Sequence, residues 1–368
     1  MKITSIVGTR PNFIKLAALV DEIKKHRVIE HLLVHTGQHY DAEMSKFFFD
    51  ELSLPKPDVN LGVGSGTYGE QTGNIIIKLE KVLIEEKPDL VVVVGDVNST
   101  FAGALSAKQL GIKVAHVEAG LRSFDLSMPE ETNRMLTDRI SDFLFTTEES
   151  ANINLTNEGI NRNKIFFVGN VMIDTLLKHR ERAQKSKILS KIHLTKDSYA
   201  VLTLHRPGNV DAKAPLEHIM SFIKQIQRRI KIVFPMHPRT LKNIENFGLN
   251  KEISQQKNLI IAKPLGYLDF LCLMSNSRLV MTDSGGMQEE TTVLGVPCIT
   301  VRNNTERPVT VEQGTNLLVS TNKDKILKKA FEVIDNKLDI KNKKNKMPDF
   351  WDGKAAKRIV ETIKKQIN

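Results

Sequence analysis

The sequence predicts an α/β protein built from two doubly wound domains, each a parallel sheet covered by helices. Three observations predict this fold. The chain has 368 residues, more than one hydrophobic core usually serves. Short apolar strands alternate with helical patterns along nearly the whole chain. The alternation pauses over a polar stretch, residues 184–197, and then restarts. That stretch is therefore predicted to cross between the domains.

The first half contains strands that are apolar throughout, as expected for a parallel sheet buried on both faces. The predicted strands are 2–7, 31–36, 90–94, 113–117, 142–146 and 164–168. The predicted helices are 13–25, 42–52, 69–86, 99–110, 130–141, 148–158 and 171–184. A glycine-rich loop at 61–66 has no strand leading into it, so it does not match a dinucleotide-binding fingerprint.

The second half repeats this pattern. Its predicted strands are 199–204, 231–235, 258–261, 279–282, 297–301 and 316–319. Its predicted helices are 214–229, 239–246, 267–275, 287–294 and 323–335. A last amphipathic helix, 354–368, is expected to pack back on the first domain. We therefore predict domains at 1–170 and 171–353.

Composition excludes several classes of protein. Hydrophobic residues make up 40% and charged residues 26%, as in a globular protein, and no run of 18 apolar residues predicts a membrane span. The N-terminus lacks a signal-peptide pattern, and the two cysteines lie in apolar surroundings, which predicts a cytoplasmic location. The net charge of +10 is dispersed and aromatic residues are 6%, so nucleic-acid binding is not predicted.

Polar side chains follow many of the predicted strands. They are Arg10, Gln38, His39, Asp96, Glu118, His205, His237 and Ser284. Ligands of open α/β sheets bind beyond the carboxyl ends of the strands. The sequence therefore predicts two Rossmann-like domains facing a central ligand cleft.

The stretch from Asp283 to Glu290 follows an apolar strand and contains two adjacent glycines before a helix. Free N–H groups and the positive end of the helix dipole suit a phosphate there. An ordinary strand-to-helix turn is the alternative. Arg10, Lys15 and Arg307 are candidate anion contacts. Taken alone, Arg10 or Lys15 is more often a surface charge, and Arg307 could instead pair with a neighbouring acid.

Three carboxylates lie near one edge of the first predicted sheet: Asp96, Glu118 and Glu130. Together with a histidine they would suit proton transfer and stabilisation of positive charge at a sugar carbon. Helix caps, loop charges and a divalent-cation site are the alternatives. The absence of an Asp-x-Asp pair disfavours a metal, so none is predicted.

Taken together, the motifs resemble the non-hydrolysing UDP-N-acetylglucosamine 2-epimerases. The matching stretches are Gly8 to Lys15 (GTRPNFIK), Thr36 to Tyr40 (TGQHY), Gly95-Asp96, His116 to Arg122 (HVEAGLR), Pro129 to Arg134 (PEETNR), His205-Arg206-Pro207, Asp283 to Glu290 (DSGGMQEE) and Thr305 to Pro308 (TERP). They occur in family order over most of the chain. One departure is Pro11-Asn12-Phe13, where many members have Pro-Glu-Ala.

The resemblance implies a GT-B fold, a homodimer and the following sites. The implied catalytic residues are Asp96, Glu118, Glu130 and His205. The implied substrate-binding residues are Arg10, Lys15, Asp96, Glu118, His205, Phe270, Ser284, Gly285, Gly286, Glu290 and Arg307. Gln38, Gln71 and His237 are candidates for a second, allosteric site, although Gln38 to Asp41 matches only part of the family segment.

The implied activity is interconversion of UDP-GlcNAc and UDP-ManNAc without a redox cofactor, supplying ManNAc-type sugars for cell-surface polysaccharide. The alternatives are epimerisation of a related sugar such as UDP-2,3-diacetamido-glucuronate, hydrolysing epimerisation, and, less favoured, a GT-B glycosyltransferase. A protein that only binds nucleotide sugars is disfavoured because Asp96, Glu118 and His205 are all present.

Overall fold

The chain contains two parallel sheets, one in each of two compact units. The structure is a computed structural model that describes residues 1–38, 49–236, 238–338 and 347–367. The first unit comprises Met1–Lys178 and Asp349–Asn368, and the second comprises His179–Pro348. The C-terminal segment thus belongs to the unit that holds the N-terminus.

The first sheet is parallel throughout and has the strand order β3-β2-β1-β4-β5-β6-β7. Its strands are β1 Lys2–Val7, β2 Glu30–His35, β3 Val59–Asn60, β4 Leu90–Val94, β5 Lys113–Ala119, β6 Phe143–Thr146 and β7 Ile165–Phe167. The order of connections reverses between β1 and β4. The carboxyl ends of these two strands therefore form the switch point where ligands of such sheets bind.

The helices of the first unit follow the strands. They are α1 Arg10–Ile23, α2 Tyr68–Glu86, α3 Asn98–Gln109, α4 Pro129–Ile140, α5 Glu149–Asn157 and α6 Val171–Gln184, with a 3₁₀ turn at Arg162–Lys164. Helix α6 continues from the first unit into the second. Pro11 and Pro129 lie in the first turns of α1 and α4, where a missing N–H costs no hydrogen bond.

The second sheet is also parallel, with the order β10-β9-β8-β11-β12-β13. Its strands are β8 Tyr199–Thr203, β9 Lys231–Pro235, β10 Leu259–Ala262, β11 Leu279–Thr282, β12 Cys298–Thr300 and β13 Asn316–Leu318. Its helices are α7 Ile188–Lys191, α8 Pro207–Val210, α9 Lys213–Ile226, α10 Pro238–Asn246, α11 Asn250–Ser254, α12 Tyr267–Ser275, α13 Gly285–Leu294, α14 Pro308–Glu312 and α15 Lys323–Ile334. Here the switch point lies between β8 and β11.

The last helix, α16 Ala355–Ile367, is attached to the first unit by specific contacts. The Asp174 carboxylate accepts hydrogen bonds from the N–H groups of Ala355 at 3.2 Å and Ala356 at 2.8 Å, and so caps the helix. The indole of Trp351 is buried and donates to the Thr147 carbonyl at 2.9 Å. α16 then packs against α1.

The prediction of two parallel-sheet α/β domains is confirmed, with local differences. Strand β3 and the short helices α7, α8, α11 and α14 were not predicted, because elements of two to five residues carry no readable periodicity. β5 continues to Ala119 through a bulge, and α13 begins at Gly285 instead of 287. The helix predicted at 42–52 falls mostly outside the described residues. Within the described ranges, no helix is both long and apolar enough to cross a membrane.

Candidate functional site

The switch point of the first sheet brings together the turns after β1 and β4. Asn12, in the first turn of α1, accepts a hydrogen bond from the Thr9 hydroxyl at 2.6 Å and donates to the Val94 carbonyl at 2.7 Å. The turn that carries Arg10 is thereby attached to the strand end that precedes Asp96. Asn12 falls where the family motif differs, so sequence reasoning gave it no role.

Glu118 lies at a bulge of β5 and has an unusual backbone conformation. The register of β5 against β6 shifts between Val117 and Ala119, and the φ angle of Glu118 is 72°. A residue other than glycine with positive φ is strained, and such strain concentrates at functional sites. The bulge directs the buried Glu118 carboxylate to the Lys15 ammonium, with which it forms an ion pair. Two predicted substrate contacts thus meet inside the first unit.

Asp96 follows β4 and is held by an arginine on α4. Its Oδ2 atom pairs with Nη2 of Arg134, whose Nη1 donates to Glu131 at 2.6 Å. Asn133 donates to the Asp96 carbonyl at 3.0 Å. The Asp96 side chain remains 23% exposed, whereas that of Arg134 is 3% exposed. The Asp96 carboxylate is therefore partly accessible to solvent, whereas the guanidinium of Arg134 is buried.

Glu130 differs from the other two predicted catalytic carboxylates. It is half-buried in the first turn of α4, where the positive end of the helix dipole stabilises a carboxylate. Within the described part of the chain its side chain forms no hydrogen bond or ion pair. Asp96 and Glu118 are each paired with a cation, whereas Glu130 is not paired with one in the described part of the chain.

A buried charged cluster lies behind these strand ends. Asp138 contacts Nδ1 of His116 at 2.7 Å and Arg122 at 2.7 Å, and accepts from the Gly120 N–H at 3.1 Å. Nε2 of His116 lies 2.8 Å from the Gly95 carbonyl oxygen. Burial raises the pKa of Asp138, but His116 and Arg122 outweigh it and the pKa falls below the usual value. The cluster ties the turn before Asp96 to the turn after Glu118.

The second sheet has a carboxylate at the centre of its switch point. Asp283 follows β11 and is fully buried. It accepts hydrogen bonds from the backbone N–H groups of His205 at 3.0 Å and Arg206 at 2.9 Å, and from Asn209 at 2.9 Å. Asp283 therefore joins the turn after β8 to the turn after β11.

The same carboxylate orients the predicted catalytic histidine. Oδ1 of Asp283 lies 2.9 Å from Nδ1 of His205, whose side chain is 48% exposed. A partner on Nδ1 fixes the ring and leaves Nε2 as the outward nitrogen. Burial raises the pKa of Asp283, but the hydrogen bond and charge of His205, with Asn209 and Arg206, bring it below the ordinary 3.8.

Ser284 and Gly285 open α13, with Ser284 in the capping position and Gly286 in the first turn. A Cβ on Gly285 would collide with Nη1 of Arg307, which explains glycine at this position. The sequence had placed both glycines in a turn before the helix. Instead they form its first turn, where backbone N–H groups are available to an anion.

Arg307 is buried beneath this helix start. It pairs with Glu289 at 2.8 Å and Glu306 at 2.9 Å. Glu306 also pairs with Arg302 at 2.8 Å and lies 3.6 Å from Arg206. Three arginines thus share two carboxylates beside a helix N-terminus, and the excess positive charge favours an anionic ligand.

Glu290 and Phe270 lie on neighbouring helices of the second unit. Glu290 on α13 accepts from the Tyr267 hydroxyl at 3.2 Å. Tyr267 is buried, and burial first and Glu290 second raise its pKa well above 10.0, so it remains a donor. Phe270 lies one turn along α12 and is half-buried, which leaves part of its ring for contact.

Two of the three candidate allosteric residues are close together, and the third, His237, lies outside the described residues. Gln71 donates to the Gln38 carbonyl at 3.2 Å and accepts from Asn98 at 2.8 Å. The Gln38 side chain accepts from the Ser99 hydroxyl at 2.6 Å. Both glutamines are buried in a network of side-chain amides and hydroxyls.

Sequence reasoning missed the residues that hold the predicted ones in place. Arg134, Glu131 and Asp283 all belong to the motifs that carried the resemblance, but they were given no role of their own. Their motif membership was a signal. The partners lie between 3 and 78 positions away, so only the fold shows what each one contacts.

Comparisons with known proteins identify the family of the chain. The family model described as UDP-N-acetylglucosamine 2-epimerase matches residues 21–364. A UDP-N-acetylglucosamine 2-epimerase of Methanocaldococcus jannaschii is 49% identical over 368 residues, covering 99% of each chain.

The chain belongs to the UDP-N-acetylglucosamine 2-epimerase family. The resemblance found in the sequence and the prediction of an isomerase are confirmed.

A solved structure of this family supports the fold. The crystal structure of the Methanocaldococcus jannaschii UDP-GlcNAc 2-epimerase in complex with UDP-GlcNAc and UDP superposes with a TM-score of 0.92 at 49% identity, covering 99% of this chain and 100% of that one. The predicted GT-B fold class is therefore confirmed.

A relative with a different substrate is also similar. The UDP-2,3-diacetamido-2,3-dideoxy-D-glucuronate 2-epimerase of Pseudomonas aeruginosa is 43% identical over 333 residues, covering 90% of this chain and 91% of that protein. The relatives of this chain are therefore named for two different UDP-sugars.

Proposed function

We propose that the protein interconverts UDP-GlcNAc and UDP-ManNAc by eliminating and re-adding UDP. The observation that carries the proposal is the pair of carboxylates at adjacent strand ends, Asp96 and Glu118, each held by a buried cation. Family membership supplies the class of substrate. ManNAc-type sugars for cell-surface polysaccharide are the proposed end use.

The chemistry begins with cleavage of the bond between C1 and the UDP oxygen. Hydrogen at C2 is weakly acidic beside an acetal, so C1 must first gain oxocarbenium character. A carboxylate then removes the C2 proton, and a C1=C2 double bond forms in 2-acetamidoglucal. UDP returns to C1 while a proton reaches the opposite face of C2. Every carbon keeps its overall oxidation state, so no redox cofactor is required.

The roles of the side chains follow from their surroundings. Asp96, Glu118 and Glu130 are the proposed proton-transfer groups. His205, Arg307 and the N–H groups of residues 284–286 would stabilise the diphosphate, with Arg307 contributing charge from its buried position. Arg10 would be a further anion contact, and Lys15 would hold the Glu118 carboxylate as its ion-pair partner. Glu290 would accept from the ribose hydroxyls, and Phe270 would stack on the base.

The related sugar UDP-2,3-diacetamido-glucuronate is the second candidate substrate. The observation that favours it is the 43% identity to an enzyme named as a 2-epimerase of that sugar. It would use the same carboxylates and the same UDP contacts. The difference would lie only in groups at C3 and C6 of the sugar.

We also propose a homodimer and a reducing compartment. Ile77 and Ile84 on α2 and Leu136 on α4 are 58%, 55% and 44% exposed, and both helices pack against α3. Such an exposed apolar face suits a second copy of the chain. Light scattering should give twice 41.5 kDa for the wild type and a smaller mass for Ile77→Glu/Ile84→Glu.

Cys272 and Cys298 are buried free thiols, which supports a cytoplasmic location for the protein.

The activity is tested by incubating the protein with UDP-GlcNAc in D2O and reading the sugar by NMR. UDP-ManNAc carrying deuterium at C2 is the expected product. Free ManNAc with UDP would instead identify a hydrolysing enzyme. Turnover of UDP-2,3-diacetamido-glucuronate alone, with UDP-GlcNAc inert, would assign the second candidate.

A further inference from the structure

Helix α4 presents charged residues to the interior of the first unit. Glu131, Arg134 and Asp138 are spaced three and four residues apart, so they share one face, and each is at most 2% exposed. Buried charges are costly unless paired. Asp138 is paired with His116 and Arg122. Arg134 differs because one of its partners is Asp96.

Arg134 bridges two carboxylates of different kinds. Nη2 contacts Asp96, which remains partly exposed, and Nη1 contacts Glu131, which is buried. A planar guanidinium with a fixed fork of donors can hold two carboxylates at once, and a lysine cannot do so in the same geometry. Asp96 is thereby held to the rigid helix α4.

Glu131 anchors the other end of this bridge. Its carboxylate accepts from the Ser123 N–H at 3.0 Å, the Ser123 hydroxyl at 2.8 Å and the Phe124 N–H at 2.9 Å. Phe124 has a φ angle of 57°, a strained conformation for an aromatic residue. These hydrogen bonds hold the strained turn that follows the HVEAGLR motif. Arg134 is therefore fixed through Glu131 on one side and contacts the partly exposed Asp96 on the other.

We propose that Arg134 is a positioning residue for Asp96, with Glu131 as its anchor. It rests on the proposed function, because it assigns Asp96 a role in proton transfer. The ion pair limits the directions in which the Asp96 carboxylate points and keeps it aligned with the C2 proton. Misplacing a reacting group by about 1 Å costs about 100-fold in rate. A purely structural Arg134 would stabilise the helix without affecting Asp96 in particular.

A double-mutant cycle separates the two roles. The variants are Arg134→Met, Asp96→Asn and the double variant, and the readout is the rate of C2 deuteration in D2O at saturating substrate. Arg134→Met is expected to lower kcat about 10- to 100-fold with KM within threefold of the wild-type value. In the Asp96→Asn background the same change is expected to lower kcat less than threefold. Additive losses would overturn the proposal, as would wild-type kcat in Arg134→Met.

Arg134→Lys covers the case in which the methionine variant does not fold. Lysine keeps the positive charge beside Glu131 but does not bridge both carboxylates, so kcat should still fall while the melting temperature stays close to that of the wild type. Wild-type kcat in Arg134→Lys would overturn the proposal. Arg139→Met, an exposed change on the last turn of α4, is the control and should leave kcat unchanged. A wild-type protein without C2 deuteration would refute the proposed function instead.

Discussion

The switch points of the two sheets use opposite arrangements of charge. In the first unit, the acidic side chains Asp96 and Glu118 follow strand ends and pair with buried basic groups, Arg134 and Lys15. In the second unit, His205 and the arginines are held by the buried acids Asp283, Glu289 and Glu306. Acids with basic supports suit proton transfer, whereas cations with acidic supports suit a leaving diphosphate.

The largest expected effect comes from neutralising the carboxylates of the first unit. Glu118→Gln and Asp96→Asn should each lower kcat about 10²- to 10⁴-fold, the usual contribution of an acid–base group. UDP binding measured by calorimetry should change little. Glu361→Gln on the exposed face of α16 is the control. If Glu118→Gln and Asp96→Asn both keep the wild-type kcat, the assignment of proton transfer to the first unit is wrong.

The next effect concerns the stability of the second unit. Arg307→Met leaves Glu289 and Glu306 buried with less compensation, and breaking such a pair costs about 3–5 kcal/mol. Urea unfolding followed by circular dichroism measures the loss. The matched control is Arg229→Met, which breaks the solvent-exposed pair with Asp335 and should cost much less, because solvent screens exposed ion pairs. Equal losses in the two variants would contradict the burial argument.

A smaller effect is expected on nucleotide affinity. Glu290→Ala should weaken UDP binding about 10- to 100-fold, since hydrogen bonds to charged groups contribute about 1.5–3 kcal/mol. The value of kcat at saturating substrate should stay within a few-fold of the wild type. Tyr267→Phe, which removes one donor to Glu290, should weaken binding less than Glu290→Ala. An unchanged UDP dissociation constant in Glu290→Ala would exclude the ribose contact.

The smallest effect is on the pH dependence of stability. The folded pKa of Asp283 lies below 3.8, so this carboxylate stabilises the fold above its unfolded pKa and stops doing so as pH falls through the folded value. Asp283→Asn removes that contribution. The stability gap between wild type and variant should therefore be full at pH 7 and shrink below about pH 4. If the difference in unfolding free energy between wild type and Asp283→Asn grows in acid, the pKa of Asp283 is raised in the folded protein and not lowered.

The sequence predicted the fold class because apolar strands and periodic helices are local signals. It also predicted where a ligand site should lie, because Asp96, His205 and Ser284 follow strands, and the roles of these residues stay a prediction. The sequence did not predict the residues that pair with the candidate site residues, because these partners lie far away along the chain. Arg134 meets Asp96 from 38 positions away, and Asp283 meets His205 from 78 positions away. The bulge at Glu118 was not predicted either, because nothing in HVEAGLR distinguishes a regular strand end from a strained one.

One paired measurement tests the division of roles most directly. Glu118→Gln and Glu290→Ala are compared in D2O with saturating UDP-GlcNAc, and both C2 deuteration and the UDP dissociation constant are determined for each. We predict that Glu118→Gln binds UDP like the wild type but incorporates deuterium at most at about 1% of its rate. We predict the reverse for Glu290→Ala, with weak UDP binding and near wild-type deuteration. Wild-type deuteration by Glu118→Gln, together with its loss in Glu290→Ala, would contradict the account.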